Sequence, residues 1–371
     1  MVFAGSGAEA LELMEVARFD VIVSDMKMPG INGVELLSRV KENYPDSIRI
    51  ALSGHAEMEM LLESVQVTHQ FLAKPSDAEH IRNVITQALA LRQMLQDENL
   101  RACISKIDSL PTLPMLYSRV TSVAASPDGT LVEIGRIVGE DISMTAEILQ
   151  IVNSAYFGLA REVSTAQEAT TLLGLDVVRS LILSVKIFSC FKEAGAALNL
   201  ENLNQHCHRT GILAGTIAKH EKMPKRVCDS SLMAGMLHDI GKLILATAYP
   251  DQYAQAHKID EGSPEGWIAE QQMFGISHAE IGAYLLGVWN LPNPVVEAVA
   301  YHHIPEKAVQ QPFSPLTATH IADALIHDYQ TKPSKEFLSW GNMDYISRFA
   351  GPEKLESWRT LTDEVLGDTV N

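Results

Sequence analysis

Residues 21–37 read VIVSDMKMPGINGVELL. An apolar β-branched run ends at Asp25, and Pro29 and Gly33 then mark a loop that opens the amphipathic stretch GVELLSRVKENY at 33–44. A buried strand handing over to a helix writes this pattern, and it sets Asp25 at the carboxyl end of the strand, where open α/β sheets expose reactive side chains. Taken alone, an aspartate there is often only a helix cap. Two further runs, IRIALSG at 48–54 and HQFLAKP at 69–75, repeat the short β-branched motif. The switching period predicts βα units around a parallel sheet over residues 1–76.

DxxxPxxxG starting at Asp25, the LSG around Ser53 and the FLAKP around Lys74 together resemble the receiver domains of two-component regulators. The resemblance implies a flavodoxin-like fold with Asp25 as phosphoacceptor. It also implies Ser53 as the hydroxyl that senses the phosphoryl group, Lys74 as its cationic contact and Phe71 as the ring that reports the switch. An acyl phosphate adds charge and acceptor oxygens that a lysine and a hydroxyl can bind, pulling a loop and turning a ring. The family's cis bond would fall at Lys74-Pro75. Receivers also begin with a strand carrying an acidic Mg²⁺ pair, and only 24 residues precede Asp25. The family's first strand, first helix and both acids are therefore missing from this sequence, which argues against Mg²⁺ at the receiver and against efficient phosphorylation. A start assigned too far downstream, a shortened chain and a degenerate receiver kept for its surfaces all account for the gap.

The bulk properties narrow the rest. At 371 residues the chain is too long for one core, and two domains are expected. With 46% apolar and 20% charged residues it has globular composition. A net charge of −17 without a basic cluster disfavours direct nucleic-acid binding. No apolar run reaches the roughly 18 residues of a membrane span, and the start lacks a signal peptide's basic region. The expectation is a cytoplasmic bacterial protein with no membrane contact. Cys103, Cys190, Cys207 and Cys228 show no CxxC spacing and read as reduced thiols.

From residue 77 to about 108 one long helix without Gly or Pro through Leu110 is predicted, with Ile81, Val84, Ala88, Leu91 and Leu95 at alternating spacings of three and four. A homodimer through this seam and a helix folded onto its own receiver remain open alternatives. Residues 109–371 then show helical periodicity broken by Gly and Pro, with no alternating strand run. LPTLPMLYSRV at 110–120, the stretch 134–159 ending NSAYFGL, and TAQEATTLLGLDVVRSLIL at 165–183 strongly resemble the HDOD family of signalling domains. Residues from about 306 read as a less patterned helical extension.

Imidazoles and carboxylates are scattered over separate predicted helices of that region: His206, His238-Asp239, His278, His302-His303 and Asp323. A single histidine of this kind is usually a satisfied core residue. As a set they offer ligands suited to Fe, Mn, Zn, Ni or Co, and facing helices can hold one or two such ions. Their order resembles the metal-dependent phosphohydrolases of the HD superfamily. That resemblance implies metal ligation by all seven, Asp239 bridging, and Lys242 near a substrate phosphate. Three departures weigh against enzyme activity. YHHIPEKA lacks the GYP segment of cyclic di-GMP hydrolases, Asn202 stands where three-metal relatives carry glutamate, and HDOD domains act as output modules without established catalysis. His208 is expected to face away from His206, and His55, His69, His80, His220, His257, His320 and His327 to have no organised partners.

The sequence thus predicts a response regulator. A sensor histidine kinase would address the receiver, and the HDOD domain would then contact a downstream signalling protein. A metal-dependent phosphohydrolase acting on a nucleotide or cyclic dinucleotide is the alternative, and a metal that only stabilises the helices fits the same residues.

Overall fold

The computed structural model describes residues 2–44, 47–53, 67–68, 70–74, 115–124, 126, 129–141, 163–175, 198–259, 266–289, 291–308, 312–331 and 340–367, with shorter pieces at 81–82, 85, 144–145, 148–149, 152, 177–179 and 181–183. The LPTLP turn, the NSAYFG stretch, the Lys74-Pro75 bond, Cys103, Cys190 and nearly all of the expected linker helix lie outside the described residues. Cys207 and Cys228 are buried and unbridged.

The amino-terminal part is an α/β unit. Strands β1 (Val21–Asp25), β2 (Ile48–Ser53) and β3 (Gln70–Ala73) form a parallel sheet in the order β1-β2-β3. The register pairs Val21 with Ile48, Asp25 with Leu52 and Ser53 with Ala73. Helix α1 (Gly7–Val16) precedes β1, and α2 (Gly33–Asn43) follows it behind an Asn32 cap that accepts from the Glu35 amide at 2.9 Å. The two helices close on each other through Met14, Leu36 and Val40. Alternation along β2 gives the sheet two apolar faces. Ala51 packs with Met26 and Leu37 on the α2 side. Ile48, Ile50 and Leu72 instead join the apolar cluster that forms the core of the helical part, where Ile81 also packs. One hydrophobic core therefore runs from the sheet into the helices.

The helical part contains α3 (Met115–Ala124), α4 (Leu131–Gly139), α5 (Ala166–Leu173), α6 (Leu200–His220), α7 (Lys225–Leu237), α8 (Ile240–Ala248), α9 (Pro250–Ile259), α10 (Gly266–Phe274), α11 (His278–Val288), α12 (Asn293–Tyr301), α13 (Pro315–Thr331), α14 (Met343–Ile346) and α15 (Pro352–Gly367). No strand occurs among its described residues. Among the described residues no helix is long and apolar enough to cross a membrane.

Two glycine contacts set the inner geometry. A Cβ on Gly235 would lie 2.7 Å from the Gly211 Cα, so α6 and α7 cross backbone to backbone. A Cβ on Gly241 would lie 1.9 Å from the His278 carbonyl oxygen, so the start of α8 abuts the start of α11. Helix α13 packs on α6, α7 and α12. The stretch expected as a loosely patterned extension thus contains a central helix, whose residues 315–326 are apolar or small apart from His320 and Asp323 and are all buried. Further on, Trp358 of α15 is fully buried and donates to Glu221 Oε1 at 3.0 Å.

Candidate functional site

At the carboxyl edge of the sheet, Asp25 forms an ion pair with Lys74. Its side chain remains 39% exposed, so a reagent can reach it. The Lys27 amide donates to Asp25 Oδ1 at 3.0 Å. Burial alone would raise the carboxyl pKa, but Lys74 and that amide hold it below the usual range. Ser53 ends β2 and Phe71 lies within β3, which puts Ser53 and Lys74 at the same sheet edge as Asp25. The side chains of Ser53 and Phe71 lie outside the described residues.

The second constellation lies where α6, α7, α8, α11, α12 and α13 meet. His206 comes from α6, His238 and Asp239 from the break between α7 and α8, His278 from the first turn of α11, His302 and His303 from the end of α12, and Asp323 from α13. All seven residues singled out from the sequence come together. Their Nε2 atoms converge: His206 to His238 at 3.2 Å, His278 to His302 at 3.4 Å, and His303 to His278 at 3.0 Å.

The opposite ring nitrogens decide what those Nε2 atoms can be. His238 Nδ1 donates to the Gly235 carbonyl at 2.7 Å and His302 Nδ1 to the Val299 carbonyl at 2.8 Å, each within its own helix turn. His278 Nδ1 contacts Glu270 Oε2 at 2.6 Å. In the neutral ring each of these histidines then turns a lone pair inward. Inward lone pairs this close repel unless a proton or a cation stands between them.

Asp239 lies between the two histidine groups. Its Oδ2 is 3.4 Å from His238 Nε2 and 3.7 Å from His206 Nε2, while its Oδ1 is 3.1 Å from His278 Nε2. Asp323 Oδ1 is 3.1 Å from His206 Nε2. Both Oδ1 atoms are buried without a well-formed hydrogen bond, an arrangement that costs free energy unless something else binds them. Overlapping sets such as His206-His238-Asp323, His238-Asp239-His302 and His278-His302-His303 each keep their ligand atoms within 4.8 Å of one another. The donor chemistry and the orphaned oxygens both fit a divalent metal.

Burial would raise both aspartates and lower His238, His278, His302 and His303, yet the charges inside the site override it in places. Asp239 stays well below the carboxylate range because of His238 and Lys242, and Asp323 likewise because of its imidazole neighbours. His278 is pushed up to about 9 against its burial, chiefly by Glu270. His302 and His303 fall well below the usual value through burial and adjacent imidazoles. Lys242 is held protonated, against burial, by Asp239 at 2.7 Å.

The histidines expected to lack partners divide. His320 is buried, donates from Nδ1 to the His302 carbonyl at 2.6 Å and accepts the Asn342 amide at 2.9 Å, so it props the end of α12. His327 Nε2 sits 3.4 Å from Asp323 Oδ1, and its ring stacks on Trp340 at 4.0 Å. Both expectations are corrected. Asp323 and His327 are four apart on α13, a same-face spacing readable from sequence. Glu270 carried no such mark.

The sequence between 110 and 305, more than half of the chain, matches the family model of the HDOD domain. This chain belongs to the HDOD family. Residues 1–86 match the response regulator receiver domain, so a receiver stands ahead of the HDOD domain. An uncharacterized protein of Treponema pallidum is 30% identical over 231 residues, which is 60% of this chain and 43% of that protein. The sporulation initiation phosphotransferase F of Bacillus subtilis is 36% identical over 93 residues, 24% of this chain and 73% of that protein. An HDOD domain protein of Geobacter sulfurreducens superposes with a TM-score of 0.53 at 24% identity, covering 73% of this chain and 95% of that one. That likeness speaks for the fold alone. The chain spans less than half the length of the first curated relatives it matches. Receiver and HDOD output domain together fit a signal-transduction response regulator. Asp323 and His327 lie beyond the HDOD match, on α13.

Proposed function

We propose that this HDOD regulator holds a pair of divalent metal ions in its output domain, and that the receiver at Asp25 controls that domain. The convergence of inward Nε2 atoms on two orphaned aspartate oxygens carries this reading. His206, His238, Asp323 and Asp239 Oδ2 would hold one ion; His278, His302, His303 and Asp239 Oδ1 would hold the other. The metals consistent with imidazole and carboxylate donors are Fe, Mn, Zn, Ni and Co. Bound there, such ions would polarise a phosphoester and lower the pKa of a coordinated water.

The chain's own contribution is positional. Lys242 orients Asp239 through its 2.7 Å contact and, being partly open to solvent, offers positive charge to a phosphate oxygen. The backbone carbonyls behind His238 and His302 fix their tautomers. At the receiver, Asp25 would accept a phosphoryl group from a sensor histidine kinase, and Lys74 would exchange its carboxylate pairing for the phosphate.

A second reading has its own support. His238, Asp239, His278 and His302 are all almost fully buried, as in closed structural metal sites. Here the metal stiffens the helices, and the output is a contact with a downstream protein. Elemental analysis of the purified full chain, followed by a phosphate-release screen with nucleotides and cyclic dinucleotides in Mn²⁺ and Fe²⁺, separates these readings. Metal with turnover that Asp239→Ala abolishes supports hydrolysis. Metal without turnover supports the closed site, and absence of metal after reconstitution overturns both.

A further inference from the structure

We infer that Glu270 is a positioning residue for His278 and sets the affinity of only one of the two proposed ions. The inference rests on the metal reading above. Glu270 lies on α10 and is 5% exposed. A single oxygen, Oε2, receives both the His278 backbone N–H at 2.7 Å and His278 Nδ1 at 2.6 Å. His278 is the first residue of α11, so this oxygen satisfies a helix-terminal donor and the imidazole together. The double contact leaves the ring little freedom to turn, and it directs Nε2 at Asp239 Oδ1.

Helix capping does not require Glu270. The Ser277–Glu280 capping box already serves this end of α11, with the Ser277 amide and hydroxyl each 2.9 Å from Glu280 Oε2. The histidines of the cluster also differ in what stands behind them. His238 and His302 rest on neutral backbone carbonyls of their own helices, whereas His278 rests on a carboxylate from a neighbouring helix. A carboxylate behind a ligating imidazole raises its donor strength, and losing such a partner costs about 10- to 100-fold in metal affinity. The asymmetry confines that effect to the ion shared by His278, His302 and His303.

The test compares the full chain with its Glu270→Gln variant, whose amide oxygen can still accept from His278 while the charge is gone. Mn²⁺ binding is followed by calorimetry and by electron paramagnetic resonance, and metal-free thermal stability is recorded alongside. The wild type is expected to take up two ions with a spin-coupled signal. The variant is expected to keep one ion at wild-type affinity, lose about 10- to 100-fold for the other, and show an uncoupled Mn²⁺ signal when one equivalent is present. Metal-free stability, compared at a pH high enough that His278 is unprotonated in both proteins, should be close to wild type. Wild-type binding of both ions by the variant overturns the inference and leaves the metal reading standing. Equal weakening of both ions with a lowered metal-free melting point makes Glu270 merely structural and also overturns it. A wild-type chain that takes up no Mn²⁺ overturns the metal reading, and the inference with it.

Discussion

Replacing Gly241 by alanine tests whether helix packing builds the candidate metal centre. The added methyl would sit 1.9 Å from the His278 carbonyl oxygen, 2.7 Å from its carbon and 2.9 Å from the Gly282 nitrogen. All of these are backbone atoms, so no side chain can rotate away. Reaching ordinary contact at 3.4 Å requires α8 and α11 to part by about 1.5 Å. Asp239 lies two residues before Gly241, and its Oδ1 is 3.1 Å from His278 Nε2. A separation of that size moves the bridging carboxylate out of reach of an ion held by His278. Overpacking should cost about 1–3 kcal/mol, and the roughly 1 kcal/mol helix preference of alanine over glycine leaves a net loss of up to about 2 kcal/mol. Urea denaturation with and without Mn²⁺ measures both effects: a lower midpoint, and a loss of the stabilisation that added metal confers. Gly351→Ala, where nothing lies within 4 Å of the new methyl, serves as control and should change neither. A Gly241→Ala protein with wild-type midpoint and undiminished metal stabilisation would refute the claim that this contact sets the spacing.

Three other outcomes are expected. Trp358→Ala removes a fully buried indole and its bond to Glu221, and should destabilise the chain by about 3–5 kcal/mol in chemical denaturation; a loss below about 1 kcal/mol would mean that α15 is dispensable. In metal-free protein, His278 titrates near 9 against its ordinary 6.5, so its contribution to stability is complete below about pH 6.5 and disappears as pH rises through about 9. Melting temperatures in chelator across that range should fall, and a flat profile in the wild type, or the same slope in Glu270→Gln, would contradict the assignment. Without the acidic Mg²⁺ pair, a small acyl-phosphate donor is expected to label the chain only slowly, and Asp25→Asn should abolish the phosphoryl group that is added, as read by intact mass; labelling that survives the substitution would place the acceptor elsewhere.

Much of the site could be read in advance because its ligands are marked residue types. A His-Asp pair after an apolar helix, and a His-His pair ending another, stand out in a chain with 13 histidines. Glu270 is one acid among 46 Asp and Glu residues, and its role depends on α10 folding back beside the start of α11, which no local pattern encodes. His320 was hidden for a similar reason, since its partners are a carbonyl 18 residues away and an amide 22 residues away. His327 could have been found from its same-face spacing to Asp323. On the fold side, the strand-loop-helix run at Asp25 was legible from turn residues and period alone. The reach of α13 into the core was underestimated because its neighbours in sequence look irregular, although its first three turns, 315–326, are apolar or small apart from His320 and Asp323 and are buried throughout.

The apolar continuity between Ile48, Ile50, Leu72 and the helical core bears on how such regulators can be rearranged. A sheet that borrows another domain's interior for one of its faces is not an interchangeable cassette. Cut free as residues 1–86, it would hand these aliphatic side chains to water, at a cost of about 1.5–3 kcal/mol each. Light scattering should then find the fragment associating into larger species than the intact chain does. Grafting a foreign receiver onto this output domain would call for a matched aliphatic face as well as a joining helix, so the two halves are expected to diversify as a couple.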